Sequence, residues 1–166
     1  KQYLPYKGQP LFWHSALSLA AVARVKGLVF VFPPGEKDEM AAQVAGLDAG
    51  ARLGLPWKVA AGGERRQDSV RNGLAALPPE CDAVLVHDAA RPFASPALIR
   101  AVIKAVEDGA AGAIPALAVT DAIKQVAPDG ITVLATPDRS GLRAVQTPQG
   151  FARRVLDQAH RRAGDE

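Results

Sequence analysis

The chain has 166 residues, 48% of them hydrophobic and 22% charged, with a formal net charge of +3. That composition fits one globular domain with enough apolar side chains for a core, and no apolar run approaches a membrane span or a secretory leader. The basicity is mild and lacks lysine-arginine runs interleaved with aromatics, which argues against a nucleic-acid partner and suits a small phosphorylated ligand.

Taken in chain order, apolar groups at helical spacing after Pro10 (Leu11, Ala16, Leu19, Ala20) predict a helix from Leu11 to Val25. The unbroken run Gly27 to Phe32, stopped by Pro33-Pro34-Gly35, predicts a buried strand. A helix is expected from Glu36 to Arg52, with Met40, Val44 and Leu47 on one side. A strand follows at Trp57 to Ala60, then a helix from about Glu64 to Leu77. Ala83 to Val86 reads as another buried strand, and Pro96 to Glu107 as a helix. Buried strands separated by helices predict an α/β domain with a mainly parallel sheet, a Rossmann-like three-layer sandwich. After Gly112 the pattern changes. Ala113 to Val119 looks extended, and Ala122 to Val126 and Ile131 to Leu134 flank the turn Pro128-Asp129-Gly130. This polar hairpin, at about 119–141, reads either as an extended β-arm packing on another subunit or as a plain surface hairpin. Arg143 to Gln146 is strand-like, and a basic helix is expected from Phe151 to Ala163.

His87-Asp88-Ala89-Ala90-Arg91-Pro92 is the most informative stretch. It follows a buried strand, and ligands in open parallel sheets bind beyond the carboxyl ends of strands. An aspartate able to hold a divalent metal, three residues from an arginine able to grip phosphate, suits a nucleotide site. On its own, Asp88 reads equally as a cap or turn residue. By strand alternation His87 is expected to face away from it, packed in the structure rather than ligating a metal. Gly62-Gly63 stands at a strand-to-helix junction, where backbone approach and free N–H groups attract anions. Arg66 and Ser69 share a face of the next helix. Taken alone, such a turn is common. Arg139 and Thr147 could contact an anionic substrate, or be an exposed arginine and a turn threonine. His14 and His160 lie in helical patterns that suggest no chemistry. Cys81 cannot close an internal disulfide and has no activating neighbour, and a cytoplasmic location is the simplest reading. With no nucleophile elbow and no His/Cys metal cluster, an enzyme here takes its nucleophile from the substrate.

Lys1-Gln2-Tyr3-Leu4, Gly62-Gly63 with Arg66, Asp68-Ser69-Val70 and Gly73-Leu74, the His87 to Pro92 block, Asp121 with Lys124, Asp138-Arg139 with Gly141-Leu142, and Thr147-Pro148-Gln149 occur in that order. The set resembles the 2-C-methyl-D-erythritol 4-phosphate cytidylyltransferase family of the non-mevalonate isoprenoid pathway, over essentially the whole chain. The resemblance implies transfer of CMP from CTP to the acceptor's phosphate, release of pyrophosphate, a divalent cation such as Mg2+, and a homodimer exchanging arms. It implies that Asp88 holds the metal and that Lys1 neutralises charge on the attacked phosphorus. Gly63, Arg66 and Ser69 would lie against CTP, Arg91 and Thr147 would contact the acceptor, and Arg139 would reach the acceptor's phosphate from the partner's arm.

The family's glycine-rich loop and first strand precede Lys-Gln-Tyr, and its last segment comes after the position of Glu166. These flanks are expected to belong to the protein outside the 166 residues, since their loss would leave an apolar slot in the middle of the sheet. Ala122 stands where relatives often carry threonine. Two alternatives remain open: a cytidylyltransferase for another polyol phosphate such as ribitol 5-phosphate, and a non-catalytic nucleotide-binding or dimerisation module. Ala89-Ala90 and Lys1 to Leu4 favour the methylerythritol acceptor.

Overall fold

The computed structural model describes residues 1–50 and 52–163. Position 51, within the helix expected from Glu36 to Arg52, and positions 164–166 of the expected domain lie outside the described residues. A short antiparallel hairpin opens the fold, β1 (Pro5–Tyr6) against β2 (Gln9–Pro10), with no apolar alternation to announce it. Helix α1 (Leu11–Ala20) begins where Pro10 predicts. It stops well before Val25, because the amides of Val22 and Val25 bond back three residues, to Leu19 and Val22, and tighten the chain into turns. Val22 is thereby turned into the core.

Strand β3 (Leu28–Phe32) leads through a 3-10 turn (Pro34–Glu36) into α2 (Lys37–Gly50) and β4 (Trp57–Ala61). Strands β3 and β4 pair in parallel, from Leu28 opposite Trp57 to Phe32 opposite Ala61. Phe12, Trp13, Phe32, Met40 and Val44 form the core between this ladder, α1 and α2. The Asp48 carboxylate closes the connection, accepting from the Leu53 amide at 2.7 Å and the Trp57 indole at 3.0 Å.

Helix α3 (Arg66–Ala75), strand β5 (Ala83–Val86) and helix α4 (Pro96–Glu107) come next. In α4, Ser95 caps the first turn by accepting from the Leu98 amide, Pro96 stands at the first helical positions, and Ile99, Val102, Ile103 and Val106 form the buried stripe. The extended run expected from Ala113 to Val119 is broken at Ile114-Pro115 into β6 (Gly112–Ala113) and β7 (Ala116–Ala118). Then come β8 (Gln125–Val126), β9 (Val133–Ala135), β10 (Arg143–Val145), β11 (Gln149–Ala152) and α5 (Arg153–Ala163).

Strand β11 is the main departure from expectation. It runs antiparallel between β5 and β6. Phe151 and Ala152 therefore belong to a strand, and the last helix begins at Arg153. The glycine of β11 marks close packing: a Cβ on Gly150 would lie 2.6 Å from Val102 of α4. Among the described residues β3–β4 is the one parallel ladder. The parallel pairing expected from the sequence is thus confined to β3–β4, the strands β5, β11 and β6 form a separate antiparallel sheet, and no ladder among the described residues joins β3 to β5. Instead Leu28 and Leu85 pack on Leu19, Val22, Ile99 and Ile103.

The region expected at 119–141 spreads a little wider. Strands β7 and β10 pair antiparallel at its base, and β8 and β9 form the hairpin beyond. The second hairpin strand starts at Val133 rather than Ile131, because Asp129 Oδ1 takes the amides of both Ile131 and Thr132. Leu117, Ile131, Val133 and Leu134 are all exposed here, Ile131 to 84%. No helix among the described residues is long and apolar enough to cross a membrane.

Candidate active site

Strand β5 ends at Val86 and the chain turns at once, the Arg91 amide bonding the Asp88 carbonyl at 2.9 Å. This turn aims the Asp88 carboxylate outward between two guanidinium groups. Arg66 Nη1 lies 2.7 Å from Oδ1 and Arg91 Nε lies 3.2 Å from Oδ2. Arg91 also donates to the Gln146 side-chain oxygen. The Asp88 amide donates to the Thr147 hydroxyl at 3.2 Å, and that hydroxyl lies 3.0 Å from His87 Nδ1. From behind, Ser15 and Ser18 of α1 donate to the carbonyls of Ala89 and Pro92, at 2.8 and 2.9 Å. Ser15 and Thr147 are the buried polar residues of the core, and both hold this loop.

The second loop joins β4 to α3. Gly62 donates to the Phe32 carbonyl at 2.7 Å, and the Gly63 amide donates to Ser69 Oγ at 3.0 Å. Asn72 reaches back to the carbonyls of Ala61 and Gly62. Position 63 needs glycine, since a Cβ there would stand 2.4 Å from Asp68 Cβ. Asp68 accepts from the Arg65 amide and side chain, closing the start of α3. The Arg65 side chain, foremost, holds the Asp68 carboxyl below the ordinary aspartate range.

The structure therefore brings Asp88, Arg66, Arg91 and Thr147 together, with Gly63 and Ser69 on the adjoining loop. Lys1 is exposed, its carbonyl taking the Leu4 amide in a turn ahead of α1. Arg139 donates to the Thr120 carbonyl within the arm. No hydrogen bond or ion pair among the described residues ties Lys1 or Arg139 to the Asp88 cluster. The His87 ring is packed in the structure, one nitrogen 3.0 Å from the Thr147 hydroxyl and the other 3.0 Å from the Arg91 carbonyl oxygen. Burial, above all, pushes the imidazole below its ordinary pKa. Sequence reasoning misses Gln146, Ser15, Ser18 and Asn72. The three-residue spacing of Ser15 and Ser18, which puts them on one face of α1, is the signal that could have found two of them.

Among the described residues no three His, Cys, Asp or Glu side chains cluster around a metal position. Asp88 is a single carboxylate at a strand tip among cations. That donor set fits Mg2+, which is commonly held by one or two carboxylates and completed by substrate phosphates and water.

A mixed α/β domain that gathers a carboxylate and arginines at its strand-end loops has the layout of a nucleotide-binding domain. Comparison with known proteins narrows the class. The sequence model of the 2-C-methyl-D-erythritol 4-phosphate cytidylyltransferases matches residues 1–166, and the chain belongs to that family. It is 56% identical over 166 residues to a bifunctional enzyme IspD/IspF of Oleidesulfovibrio alaskensis, covering 100% of this chain and 41% of that protein. It is 47% identical over 167 residues to the 2-C-methyl-D-erythritol 4-phosphate cytidylyltransferase of Streptomyces avermitilis, covering 95% of this chain and 64% of that one. The crystal structure of the Thermus thermophilus 2-C-methyl-D-erythritol 4-phosphate cytidylyltransferase superposes with a TM-score of 0.74 at 32% identity, over 99% of this chain and 72% of that one. The chain thus spans about two fifths of the bifunctional relatives it matches.

Proposed function

We propose that the protein transfers CMP from CTP to 2-C-methyl-D-erythritol 4-phosphate, releasing pyrophosphate, for isoprenoid precursor synthesis, on a Rossmann-like three-layer scaffold in the cytoplasm. Family membership supports the reading. The observation that carries it is the Asp88 carboxylate bridged by Arg66 from one loop and Arg91 from the other.

Such a reaction needs positioned anions and cations aimed at transition-state charge, not a protein nucleophile. An oxygen of the acceptor's phosphate attacks the α-phosphorus of CTP. The new P–O bond forms as the bond to the β-phosphate oxygen breaks and pyrophosphate leaves. Gly63, Arg66 and Ser69 line the CTP side, and Arg91 and Thr147 the acceptor side. Lys1 neutralises charge growing on the attacked phosphorus. Asp88 would hold a divalent cation, which when bound draws charge from the phosphate oxygens. A homodimer is part of the proposal. The apolar exposure of the arm, at Leu117, Ile131, Val133 and Leu134, suits burial against a second copy, which would carry Arg139 to the acceptor's phosphate in the neighbouring site.

The test is CTP-dependent pyrophosphate release by the complete protein with Mg2+, offering 2-C-methyl-D-erythritol 4-phosphate or ribitol 5-phosphate. Turnover preferring the first is expected. Preference for the second would assign a different polyol phosphate, and release with neither would leave a binding module.

A further inference from the structure

Arg91 serves the acceptor, and a long, exposed side chain there needs something to fix it. Its backbone is already held, the amide donating to the Asp88 carbonyl at 2.9 Å. The guanidinium is held by two oxygens of different kinds. Asp88 Oδ2 takes Nε at 3.2 Å, and the side-chain oxygen of Gln146 takes Nη1. The other end of the Gln146 amide settles its orientation, because Nε2 donates to the Ala144 carbonyl at 3.3 Å. A carbonyl oxygen only accepts, so the amide nitrogen faces Ala144 and the amide oxygen faces Arg91. Gln146 is itself anchored. Its backbone amide donates to the Pro115 carbonyl at 2.8 Å, at the base of the arm, and the next residue, Thr147, is buried. A guanidinium carries five N–H donors. Asp88 and Gln146 take one each, which leaves one on Nη1 and both on Nη2 for a ligand.

The two holds differ in charge. The Asp88 carboxylate is shared with Arg66, at 2.7 Å, and it offsets part of the positive charge it grips. The Gln146 oxygen is neutral, so it fixes the guanidinium and leaves that charge for an anion. We propose that Gln146 is a positioning residue that aims Arg91 at the anionic acceptor, and that its neutrality matters as much as its reach. A carboxylate in the same place would hold Arg91 equally well but compete with the acceptor's phosphate for it. The inference deepens the proposed function and rests on it. It makes acceptor binding depend on a residue outside the two loops that carry the charged groups.

Two substitutions separate reach from charge. Gln146→Leu removes the oxygen and leaves the charge of Arg91 untouched. Gln146→Glu keeps an oxygen on Nη1 and offsets the charge. With the complete protein, Gln146→Leu is expected to raise the acceptor KM roughly tenfold, about one hydrogen bond to a charged group, with the CTP KM within about twofold. Gln146→Glu should raise the acceptor KM by about threefold or more, again without moving the CTP KM. In an Arg91→Lys background, where no guanidinium remains to be held, Gln146→Leu should add less than about twofold. An acceptor KM within about twofold of wild type in Gln146→Leu, or one at or below wild type in Gln146→Glu, would overturn the proposal. So would a CTP KM that rises alongside, the mark of a merely structural side chain.

A second measurement needs no change at position 146. Nitrogen-15 NMR of the arginine side chains of the wild-type protein, with the Arg91 signals identified by their loss in Arg91→Lys, reports whether that guanidinium is held. Separate Nη1 and Nη2 signals, the sign of hindered rotation, are expected. One averaged signal from a freely turning group would overturn the proposal directly. A wild-type protein without turnover of 2-C-methyl-D-erythritol 4-phosphate would take down the proposed function and this inference with it. Turnover that Gln146→Leu leaves unchanged would remove the inference alone.

Discussion

The two loops of the site are held in opposite ways. The glycine turn at 62–69 is tied mostly by residues a few positions downstream: Gly63 to Ser69, the Arg65 amide to Asp68, and Asn72 back to Ala61 and Gly62. The turn at 87–92 is tied by residues far along the chain: Ser15 and Ser18 from α1, and Gln146 and Thr147 from the approach to β11. The first loop is a local motif that its helix carries with it. The second is an assembly that exists only when the whole domain has folded.

The contrast predicts unequal responses to substitution. The largest is at the junction itself. Asp88→Ala should lower pyrophosphate release by about 10²–10³ or more, as for other groups that organise transition-state charge. Its melting temperature should stay near wild type, because the ion pairs it loses are largely solvent-exposed and worth little to folding. Turnover within tenfold of wild type would remove Asp88 from the chemistry.

Next in size is Thr147→Val, which strips the long-range loop of a buried partner. The Asp88 amide and His87 Nδ1 both lose their bond, and urea unfolding should register a loss of about 1–3 kcal/mol. Thr147→Ser should recover most of it. Ser15→Ala should cost about 1 kcal/mol of global stability, through the Ala89 carbonyl. Ser69→Ala frees only the Gly63 amide, in a half-buried turn closed within seven residues, and should cost clearly less. Equal losses at the two serines would erase the distinction between the loops.

The smallest expected effect concerns pH. The Asp68 carboxyl is held below its ordinary range by Arg65. Its contribution to stability is therefore present above the ordinary aspartate range and is lost as the pH falls through the lower folded value. Melting curves of wild type and Asp68→Asn should differ slightly at neutral pH and converge in acid. A gap that widens in acid would reverse the assigned sign.

Legibility in the sequence divides along the same line. Strand β5 and helix α4 fall at the bounds expected from the sequence, Ala83 to Val86 and Pro96 to Glu107. Arg66 and Ser69 could be paired by helical spacing alone. Strand β11 could not be read, because its Gly150 and the preceding Pro148 are turn residues locally, and the packing of Gly150 shows only against α4. Nor could the partners of His87, since the packing expected of its ring does not name the groups it meets. The spacing of Ser15 and Ser18 shows that they share a face of α1, but not that their partners are carbonyls 74 positions away.

The central claim is that Asp88 marks a junction where one arginine serves each of two anions. Steady-state kinetics of Arg66→Ala and Arg91→Ala in the complete protein test it most directly. The account predicts that the first raises the KM for CTP and the second the KM for the acceptor, each by roughly tenfold or more, with the other constant nearly unchanged. If both variants shift the same KM by the same factor, the two-sided site is wrong.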